Sequence, residues 1–246
     1  MEYLKLLDML EKLKKDVCRA NLDLVEQGLV IHTWGNVSGR DFKTGLIVIK
    51  PSGVSYADMK PEDMVVIDIE GNIVEGKLKP STDAPTHLVL YKTYKSLGGV
   101  VHTHSTYATS WAQAGKSIPP FGTTHADHFY GSVPCTRMLT DNEIENEYEI
   151  NTGKVIVQTV GAGDPLSVPS VLVNSHGPFC WGKDAESAVY NAAALEEIAR
   201  MAFYTVLLGR NEPVDNVLLD KHFKRKHGND AYYGQDKNPP THLKGG

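Results

Sequence analysis

The sequence predicts an α/β fold in which helices cover both faces of a sheet. Short β-branched runs bounded by Gly, Pro or Asp alternate with longer segments of helical periodicity, which is typical of α/β proteins. The 246 residues contain no internal repeat and no interior low-complexity linker, so we expect one domain. Hydrophobic residues at 41% and charged residues at 22% are the composition of a globular protein with a substantial core.

The individual elements follow from periodicity and from the residues that bound each run. Apolar residues at steps of four and three predict an opening helix, and Gly28 is a suitable terminator for it. These apolar positions are Leu6, Leu10, Leu13, Val17, Ala20 and Leu24. Strands are predicted at Leu46–Lys50, Met64–Ile69, Val100–Thr103, Lys154–Thr159 and Val171–Asn174. Further helices are predicted over Asp83–Tyr94, Ser105–Ala114, Ala185–Leu208 and Val214–His227.

Charge and cysteine content exclude several classes of function. A net charge of −5 argues against nucleic acid as the main partner. No run approaches the roughly 18 apolar residues of a membrane span, and the first residues do not resemble a signal peptide, so no membrane partner is expected. The three cysteines, Cys18, Cys135 and Cys180, are far apart, which favours reduced thiols and a cytoplasmic protein.

Two histidine elements indicate a metal site. His102 and His104 alternate at the end of an apolar run, so both imidazoles should point to one side of a strand. His176 ends a second apolar run. Three histidines with one coordination position open are typical of a catalytic Zn²⁺ site. The alternative is that these are surface histidines that bind no metal. Asp83 is either a fourth ligand or the N-cap of a helix.

Three loops carry hydroxyls, small residues and backbone donors that suit an anion. They are Thr33–Ser38, Lys50–Gly53 and Lys79–Thr82, and the last lies at the predicted start of a helix. Each loop alone is also ordinary turn chemistry. Together with a metal site, the three loops indicate a small phosphorylated substrate.

Acid and base candidates lie in two further segments. Gly122–Tyr130 holds Asp127 between two histidines, which makes this carboxyl a candidate for proton transfer, although a polar loop is an equally simple interpretation. The basic run Lys221–His227 reads as a solvated helix face. Two adjacent tyrosines, Tyr232 and Tyr233, follow it, and a phenol that reaches a partner's pocket would account for them.

These motifs, in this order, resemble the class II aldolase/epimerase family. The resemblance runs from about Leu13 to Gln235. It is carried by TWGNVS, IKPSGV, KPSTDAPTH, GGVVHTHS, GTTHADHFYG, PCTR, NSHGPFCWG, DKHFKRKHG and AYYGQ. It implies a three-layer α/β/α fold with a central, largely antiparallel sheet, formed by a domain over residues 1–235, with a flexible tail at 236–246. It also implies a homotetramer with active sites at subunit interfaces.

The resemblance also assigns roles to residues. It implies one Zn²⁺ per subunit, or another divalent metal, on Asp83, His102, His104 and His176. Substrate and phosphate contacts are implied for Gly35, Asn36, Lys50, Ser52, Gly53, Ser81 and Thr82. Asp127 and Tyr233 become the two proton carriers, with Tyr233 reaching in from a neighbouring subunit. Glu149, His222 and Arg225 match polar positions near the site.

The activity implied is that of the epimerase branch, which interconverts L-ribulose 5-phosphate and D-xylulose 5-phosphate by breaking and re-forming the C3–C4 bond. Such an enzyme would serve arabinose catabolism or another pentose route. The alternative within the family is an aldolase of the L-fuculose-1-phosphate type, which carries Glu at the position of Asp83. A non-catalytic module like the adducin head lacks the metal histidines, and a zinc hydrolase would need a placed base such as that of HExxH.

Overall fold

A computed structural model describes residues 2–227 and 231–232, with side chains described from residue 9 onward. The strands are β1 (Asn36–Arg40), β2 (Ile47–Ile49), β3 (Val65–Ile67), β4 (Ile73–Glu75), β5 (Gly99–His102), β6 (Ser170–Val173) and β7 (Gly177–Gly182). The helices are α1 (Glu2–Glu26), α2 (Ala84–Thr93), α3 (Thr106–Gln113), α4 (Thr123–Ala126), α5 (Asp141–Glu145), α6 (Tyr148–Val160), α7 (Ala185–Leu207) and α8 (Asn216–His227). A short 3₁₀ turn covers Pro61–Asp63.

The seven strands form one sheet in the order β4-β3-β2-β1-β5-β7-β6. Every neighbouring pair in this order is antiparallel, as the resemblance implied. Short turns join β1 to β2, β3 to β4 and β6 to β7, and a longer connection that contains the 3₁₀ turn joins β2 to β3; each of these pairs is adjacent both in sequence and in the sheet. The central strand pair, β1 with β5, brings together segments from distant parts of the sequence.

Helices cover both faces of the sheet, which confirms the three-layer fold. Successive strand residues point to opposite faces, so Val100 packs in one hydrophobic cluster and Val101 in the other. The cluster that contains Val101 is completed by α1, α3 and α7. The cluster that contains Val100 is completed by α2 and α6. The two clusters flank strands that are buried on both sides.

Most of the predicted elements are confirmed. The opening helix ends where predicted, and Gly28 follows it with a positive φ of 67°. One prediction is wrong, because Lys154–Thr159 lies within the helix α6 and not in a strand. The strands β1, β4 and β7 and the short helices α4 and α5 had not been predicted.

The described part of the chain contains no helix long and apolar enough to cross a membrane. The predicted tail at 236–246 lies outside the described residues, as does Tyr233. The extent of the domain, residues 1–235, therefore stays a prediction.

Candidate active site

One edge of the sheet collects the ends of four strands, and a cleft of about 680 Å³ opens there. β1 begins at this edge with Asn36, which is paired with His102 at the end of β5. His102 is in turn paired with Phe179 of β7. β2 ends at the same edge because Ile49 lies opposite Ser38. Antiparallel pairing therefore delivers loops from distant parts of the sequence to one place.

Most of the predicted site residues line this cleft together. The predicted residues at the wall are Gly35, Asn36, Lys50, Ser52, Gly53, Ser81, Thr82, Asp83, His102, His104, Glu149 and His176. The structure thus joins the predicted metal ligands to all three predicted anion loops. Gly35 shows how tightly the first loop is held, since it has a φ of 94° and a Cβ there would lie 2.7 Å from the His102 carbonyl oxygen.

The three histidines form a group that could hold a metal ion. Their ligand nitrogens lie within 4.8 Å of one another. His102 donates from Nδ1 to the Pro178 carbonyl at 3.0 Å, so its Nε2 is bare, and this atom lies 3.1 Å from Nε2 of His104. Two imidazole nitrogens bound to one tetrahedral Zn²⁺ would be about 3.3 Å apart, given the usual zinc–nitrogen distance. The donor set therefore fits such an ion.

The three imidazoles are held neutral, which is the form that binds metal. Burial lowers the pKa of His102 well below 6.5, and the neighbouring His176 and His104 lower it further. Burial also lowers the pKa of His104 and of His176, although the charge of Asp83 acts in the opposite direction on both. Phe179 stacks on the His102 ring with centroids 4.3 Å apart and fixes its plane.

His104 and His176 reach the group from loops. β5 ends at His102, just before the predicted strand end at Thr103, so His104 lies beyond the strand. His176 lies in the turn between β6 and β7, directly after Ser175, whose φ is 61°. A positive φ at a residue other than glycine is unfavourable, and here it turns the chain so that His176 faces the cleft.

Asp83 stands at the start of α2 with its carboxylate in the cleft wall. It occupies the N-cap position, but its side chain makes no capping hydrogen bond. Instead, its Oδ2 accepts a hydrogen bond of 2.7 Å from the Asn36 amide. The carboxylate is thus oriented by a residue of β1, and its role as a metal ligand stays a prediction.

Two of the predicted anion loops are hydrogen-bonded to each other. The Ser81 backbone N–H donates to the Lys50 carbonyl and the Ser52 N–H donates to the Lys79 carbonyl, both at 2.9 Å. Lys50 itself is 2% exposed, and its ammonium donates to the Val54 carbonyl at 3.0 Å. Burial lowers the pKa of this ammonium. Lys50 therefore orders its own loop and places a positive charge beneath it.

Asp127 does not line the histidine cleft of its own chain. It lines a separate cavity of about 600 Å³ that shares no lining residue with the histidine cleft. Arg225 donates to both carboxylate oxygens, at 3.0 and 2.6 Å, and Nδ1 of His222 lies 3.0 Å from Oδ1. Lys226 is 3.8 Å away. The structure therefore brings Asp127 together with two other predicted residues, His222 and Arg225.

The cations decide the charge state of Asp127. Burial acts to raise the pKa of this carboxyl, but the hydrogen bonds from Arg225 and His222 and the charges of Lys226 and Arg225 outweigh it. The pKa is therefore lowered below the ordinary 3.8. Tyr232 lies nearby, because its backbone N–H donates to the Arg225 carbonyl at 3.0 Å.

The fold, the histidine group and the loops agree with one family. The family model described as "Class II Aldolase and Adducin N-terminal domain" matches residues 15–203. The chain belongs to this class II aldolase family. A relative from Salmonella paratyphi B (strain ATCC BAA-1250 / SPB7), named L-ribulose-5-phosphate 4-epimerase UlaF, is 58% identical over 229 residues, which is 92% of this chain and 100% of the relative.

Solved structures of class II aldolase relatives have the same architecture. An L-fuculose 1-phosphate aldolase superposes with a TM-score of 0.74 at 25% identity, covering 87% of this chain and 95% of that one. The L-fuculose 1-phosphate aldolase from Glaciozyma antarctica PI12 superposes with a TM-score of 0.70 at 20% identity, covering 90% and 84%. The second similarity is one of fold alone.

Sequence reasoning missed Tyr148 in this class II aldolase site. Tyr148 is the first residue of α6 and lines the cleft, with its hydroxyl 3.3 Å from Nδ1 of His176. Burial raises the pKa of this phenol. The sequence did not predict α6, so it did not place Tyr148 near the histidines. The one available signal was that Tyr148 directly precedes Glu149. Thr33 and Trp34, which also line the cleft, belong to a loop that had been singled out.

Proposed function

We propose that the protein is an L-ribulose-5-phosphate 4-epimerase that interconverts L-ribulose 5-phosphate and D-xylulose 5-phosphate. The observation that carries this proposal is the 58% identity to a relative of that name. The match covers the whole length of the relative and 92% of this chain. Asp83 supports it, since aldolases of this family carry Glu at that position. Three free cysteines, two of them buried, accord with a cytoplasmic enzyme.

In our proposal His102, His104 and His176, with Asp83 as the acidic ligand, would hold a divalent metal, Zn²⁺. When bound, such an ion supplies Lewis-acid stabilisation for negative charge on the substrate oxygens as the C3–C4 bond breaks. The chain's own residues prepare the site. Hydrogen bonding from Asn36 fixes the Asp83 carboxylate, and the Pro178 carbonyl fixes the His102 ring.

The paired loops hold the substrate phosphate. Ser52, Gly53 and Thr82 are exposed at the cleft wall, where their backbone and hydroxyl donors can face an anion. Lys50 adds a positive charge beneath them. Anchoring the phosphate keeps the two-carbon fragment in place after the bond breaks, so that it turns over and does not escape.

Proton transfer needs two groups on opposite faces of the two-carbon fragment, and we assign these roles to Asp127 and Tyr233. One carrier removes the proton of the C4 hydroxyl as the C3–C4 electron pair passes to the three-carbon fragment. After the carbonyl turns over and the bond re-forms, the other carrier protonates the new C4 oxygen. His222 and Arg225 hold the Asp127 carboxylate for this task.

Asp127 lies outside the histidine cleft of its own chain, so the complete site requires a second subunit in our proposal. A homotetramer with interfacial sites meets this requirement. Exposed apolar side chains on α7 and the segments around it offer surfaces for such assembly. They include Tyr190, Met201, Phe203, Tyr204, Leu207, Leu208 and Val217, which are between 41% and 88% exposed.

The second candidate function is an aldolase that cleaves a ketose 1-phosphate and releases both fragments. The observation that favours it is the TM-score of 0.74 with an L-fuculose 1-phosphate aldolase at 25% identity. Both reactions break a carbon–carbon bond next to a carbonyl. They differ in whether the fragments recombine inside the site.

The experiment that tests the proposal follows L-ribulose 5-phosphate by NMR with the purified, zinc-loaded protein. We expect D-xylulose 5-phosphate to appear without free glycolaldehyde phosphate, and we expect a chelator-treated sample to be inactive. Release of fragments, or no turnover here together with cleavage of L-fuculose 1-phosphate, would assign the protein to the aldolases.

A further inference from the structure

Tyr148 and His176 meet in the histidine cleft although they come from distant elements of the fold. Tyr148 is the first residue of α6, and His176 lies in the turn between β6 and β7. The Tyr148 hydroxyl lies 3.3 Å from Nδ1 of His176, and the centroids of the two rings are 6.1 Å apart. Both side chains are half-buried in the cleft wall. The phenol is therefore a polar partner of one of the three imidazoles.

The backbone is strained directly before each member of this pair. Glu147 has a φ of 53° and Ser175 has a φ of 61°, and residues other than glycine rarely adopt such positive angles. These conformations are costly and persist only where the surrounding structure holds them in place. Among the other described residues that are not glycine, only His32 has a positive φ, and it directly precedes Thr33 of the cleft wall. The strain is thus concentrated at the cleft.

Hydrogen bonds hold the first turn of α6 in place. The Thr152 hydroxyl donates to the Tyr148 carbonyl at 2.9 Å, and the Thr86 hydroxyl donates to the Glu149 carbonyl at 2.6 Å. Both threonines are buried. Thr86 belongs to α2 and lies about one helical turn after Asp83, so the helix that carries Asp83 also fixes the start of α6. The phenol of Tyr148 therefore extends from an anchored backbone.

His102 and His176 have different hydrogen-bond partners because they occupy different places in the fold. His102 ends a strand, so its Nδ1 donates to the Pro178 carbonyl of the neighbouring strand β7 at 3.0 Å. His176 lies in a turn, and its Nδ1 faces the Tyr148 hydroxyl instead of a strand carbonyl. An imidazole that binds a metal through Nε2 carries its hydrogen on Nδ1, and a phenol oxygen can accept that hydrogen.

We propose that Tyr148 is a positioning residue, which accepts a hydrogen bond from Nδ1 of His176 and so leaves Nε2 of that ring to the metal. This inference rests on the metal site of the proposed function. Tyr148 acts through His176 and is not itself a ligand. Residues that orient metal ligands in this way typically change metal affinity by about 10–100-fold when they are replaced.

Removing one phenol hydroxyl at each end of α6 separates this role from a general loss of stability. Tyr148→Phe deletes the hydroxyl beside His176 and keeps the ring. Tyr94→Phe is the matched control, because the Tyr94 hydroxyl donates to the Gly161 carbonyl at the far end of α6, at 2.8 Å and outside the cleft.

The two variants should change different quantities. Zn²⁺ affinity, measured by calorimetry on the full-length protein, should fall about 10-fold or more in Tyr148→Phe and keep the wild-type value in Tyr94→Phe. The melting temperature of the metal-free protein should fall by about 2–4 °C in Tyr94→Phe, which loses a hydrogen bond to a carbonyl, and by no more than this in Tyr148→Phe.

NMR of the ¹⁵N-labelled, zinc-loaded protein supplies a signature that a purely structural role would not change. We expect the hydrogen of the His176 ring on Nδ1, and we expect it to exchange with water more slowly in the wild type than in Tyr148→Phe. Should Tyr148→Phe not fold, the wild-type spectrum decides, since a hydrogen on Nε2 of His176 would overturn the proposal.

The other outcomes separate this inference from the proposed function. Zn²⁺ affinity in Tyr148→Phe equal to that of the wild type would overturn the role of Tyr148 alone, as would losses of affinity that follow the melting temperature in both variants. Failure of the wild-type protein to bind Zn²⁺ would overturn the metal site of the proposed function, and the role of Tyr148 with it.

Discussion

The histidine cleft and the Asp127 cluster are both rich in titratable groups, but they are neutralised in different ways. In the cleft, burial favours the uncharged form of His102, His104 and His176, and their ligand nitrogens lie within 4.8 Å of one another. In the cluster, Asp127 is charged and is compensated by Arg225 and other cations. The first group can gain an ion, whereas the second already holds its counter-charges.

The difference shows which part of the chemistry each region can supply. Ligand nitrogens without a counter-charge suit a cation that stabilises charge on a substrate. A carboxylate fixed by a guanidinium keeps its position and stays ionised, which is the form that can accept a proton. Neither region provides both a metal site and a proton carrier. In our proposal the reaction therefore needs the cleft of one subunit and the cluster of another.

The largest expected effect is that of breaking the cleft. His102→Ala removes the most buried ligand of the three, so we expect loss of bound Zn²⁺ and a fall in kcat of about 10³-fold or more, as fits several kcal/mol of Lewis-acid stabilisation. Metal analysis and turnover of L-ribulose 5-phosphate measure the two effects. His125→Gln, which replaces a buried histidine outside the cleft, should keep the metal. Full metal content in His102→Ala would remove the histidine group from the proposal.

Breaking the cluster should leave the metal in place. Asp127→Asn keeps the size of the side chain and removes its basicity, so kcat should fall by about 10²–10⁴-fold while zinc content and KM change little. The control is Asp164→Asn, because Asp164 lines the same cavity and accepts a backbone hydrogen bond that asparagine can also accept. A kcat near that of the wild type in Asp127→Asn would show that the carboxylate is not a proton carrier.

The pH profile sharpens the comparison further. Arg225 lowers the pKa of Asp127 below 3.8. The carboxylate therefore becomes protonated only at a lower pH than an ordinary aspartate does. In Arg225→Gln the pKa of Asp127 should rise, and the acid limb of kcat/KM should move to higher pH with it. Arg19→Gln removes ion pairs on α1 and should leave the limb unchanged. A shift in the opposite direction would contradict the assigned charge effect.

The histidine group could be predicted from sequence because its signal is local. His102 and His104 are two residues apart at the end of an apolar run, and His176 follows another. The Asp127 cluster has no such signal, since its hydrogen bonds join residues 95 and 98 positions apart. Only the resemblance to the family had marked His222 and Arg225. Their contact with Asp127 depends on how α8 packs on α4, which no local pattern encodes.

The fold was predicted where local preference and burial agree. Lys154–Thr159 is β-branched and predicted a strand, yet it forms part of α6, where Val155 and Ile156 are buried. Packing against α2 outweighs the weak preference of these residues. β7 shows the opposite case. Gly177 and Pro178 disfavour a strand, yet they belong to a strand that is buried throughout. The central position of this strand between β5 and β6 determines its conformation.

A smaller effect should appear in stability. Burial lowers the pKa of His125 to about 4, so the native state excludes a proton that the unfolded state binds below pH 6.5. Stability is therefore complete above that pH and is lost as pH falls towards 4, by about 2–3 kcal/mol for this group. His125→Gln should lose correspondingly less between pH 7 and pH 4 in urea unfolding. Equal losses in both proteins would mean that His125 becomes protonated without unfolding.

The smallest effect concerns α6, the helix that the sequence did not predict. Gly153 lies in α6, and a Cβ there would come within 2.7 Å of the Val89 side chain on α2. Helix preference alone would make Gly153→Ala stabilising by about 1 kcal/mol. Overpacking costs about 1–3 kcal/mol, so we expect a net loss of about 1 kcal/mol in urea unfolding.

The partner residue supplies the control for this last substitution. In a Val89→Gly background, which removes the Cβ and both Cγ atoms that the added methyl group would meet, Gly153→Ala should become neutral or stabilising, as a double-mutant cycle measures. Stabilisation in the wild-type background would mean that α6 and α2 are not packed this closely. The segment would then behave as an isolated helix, and the placement of Tyr148 beside His176 would lose its support, because the position of Tyr148 depends on that packing.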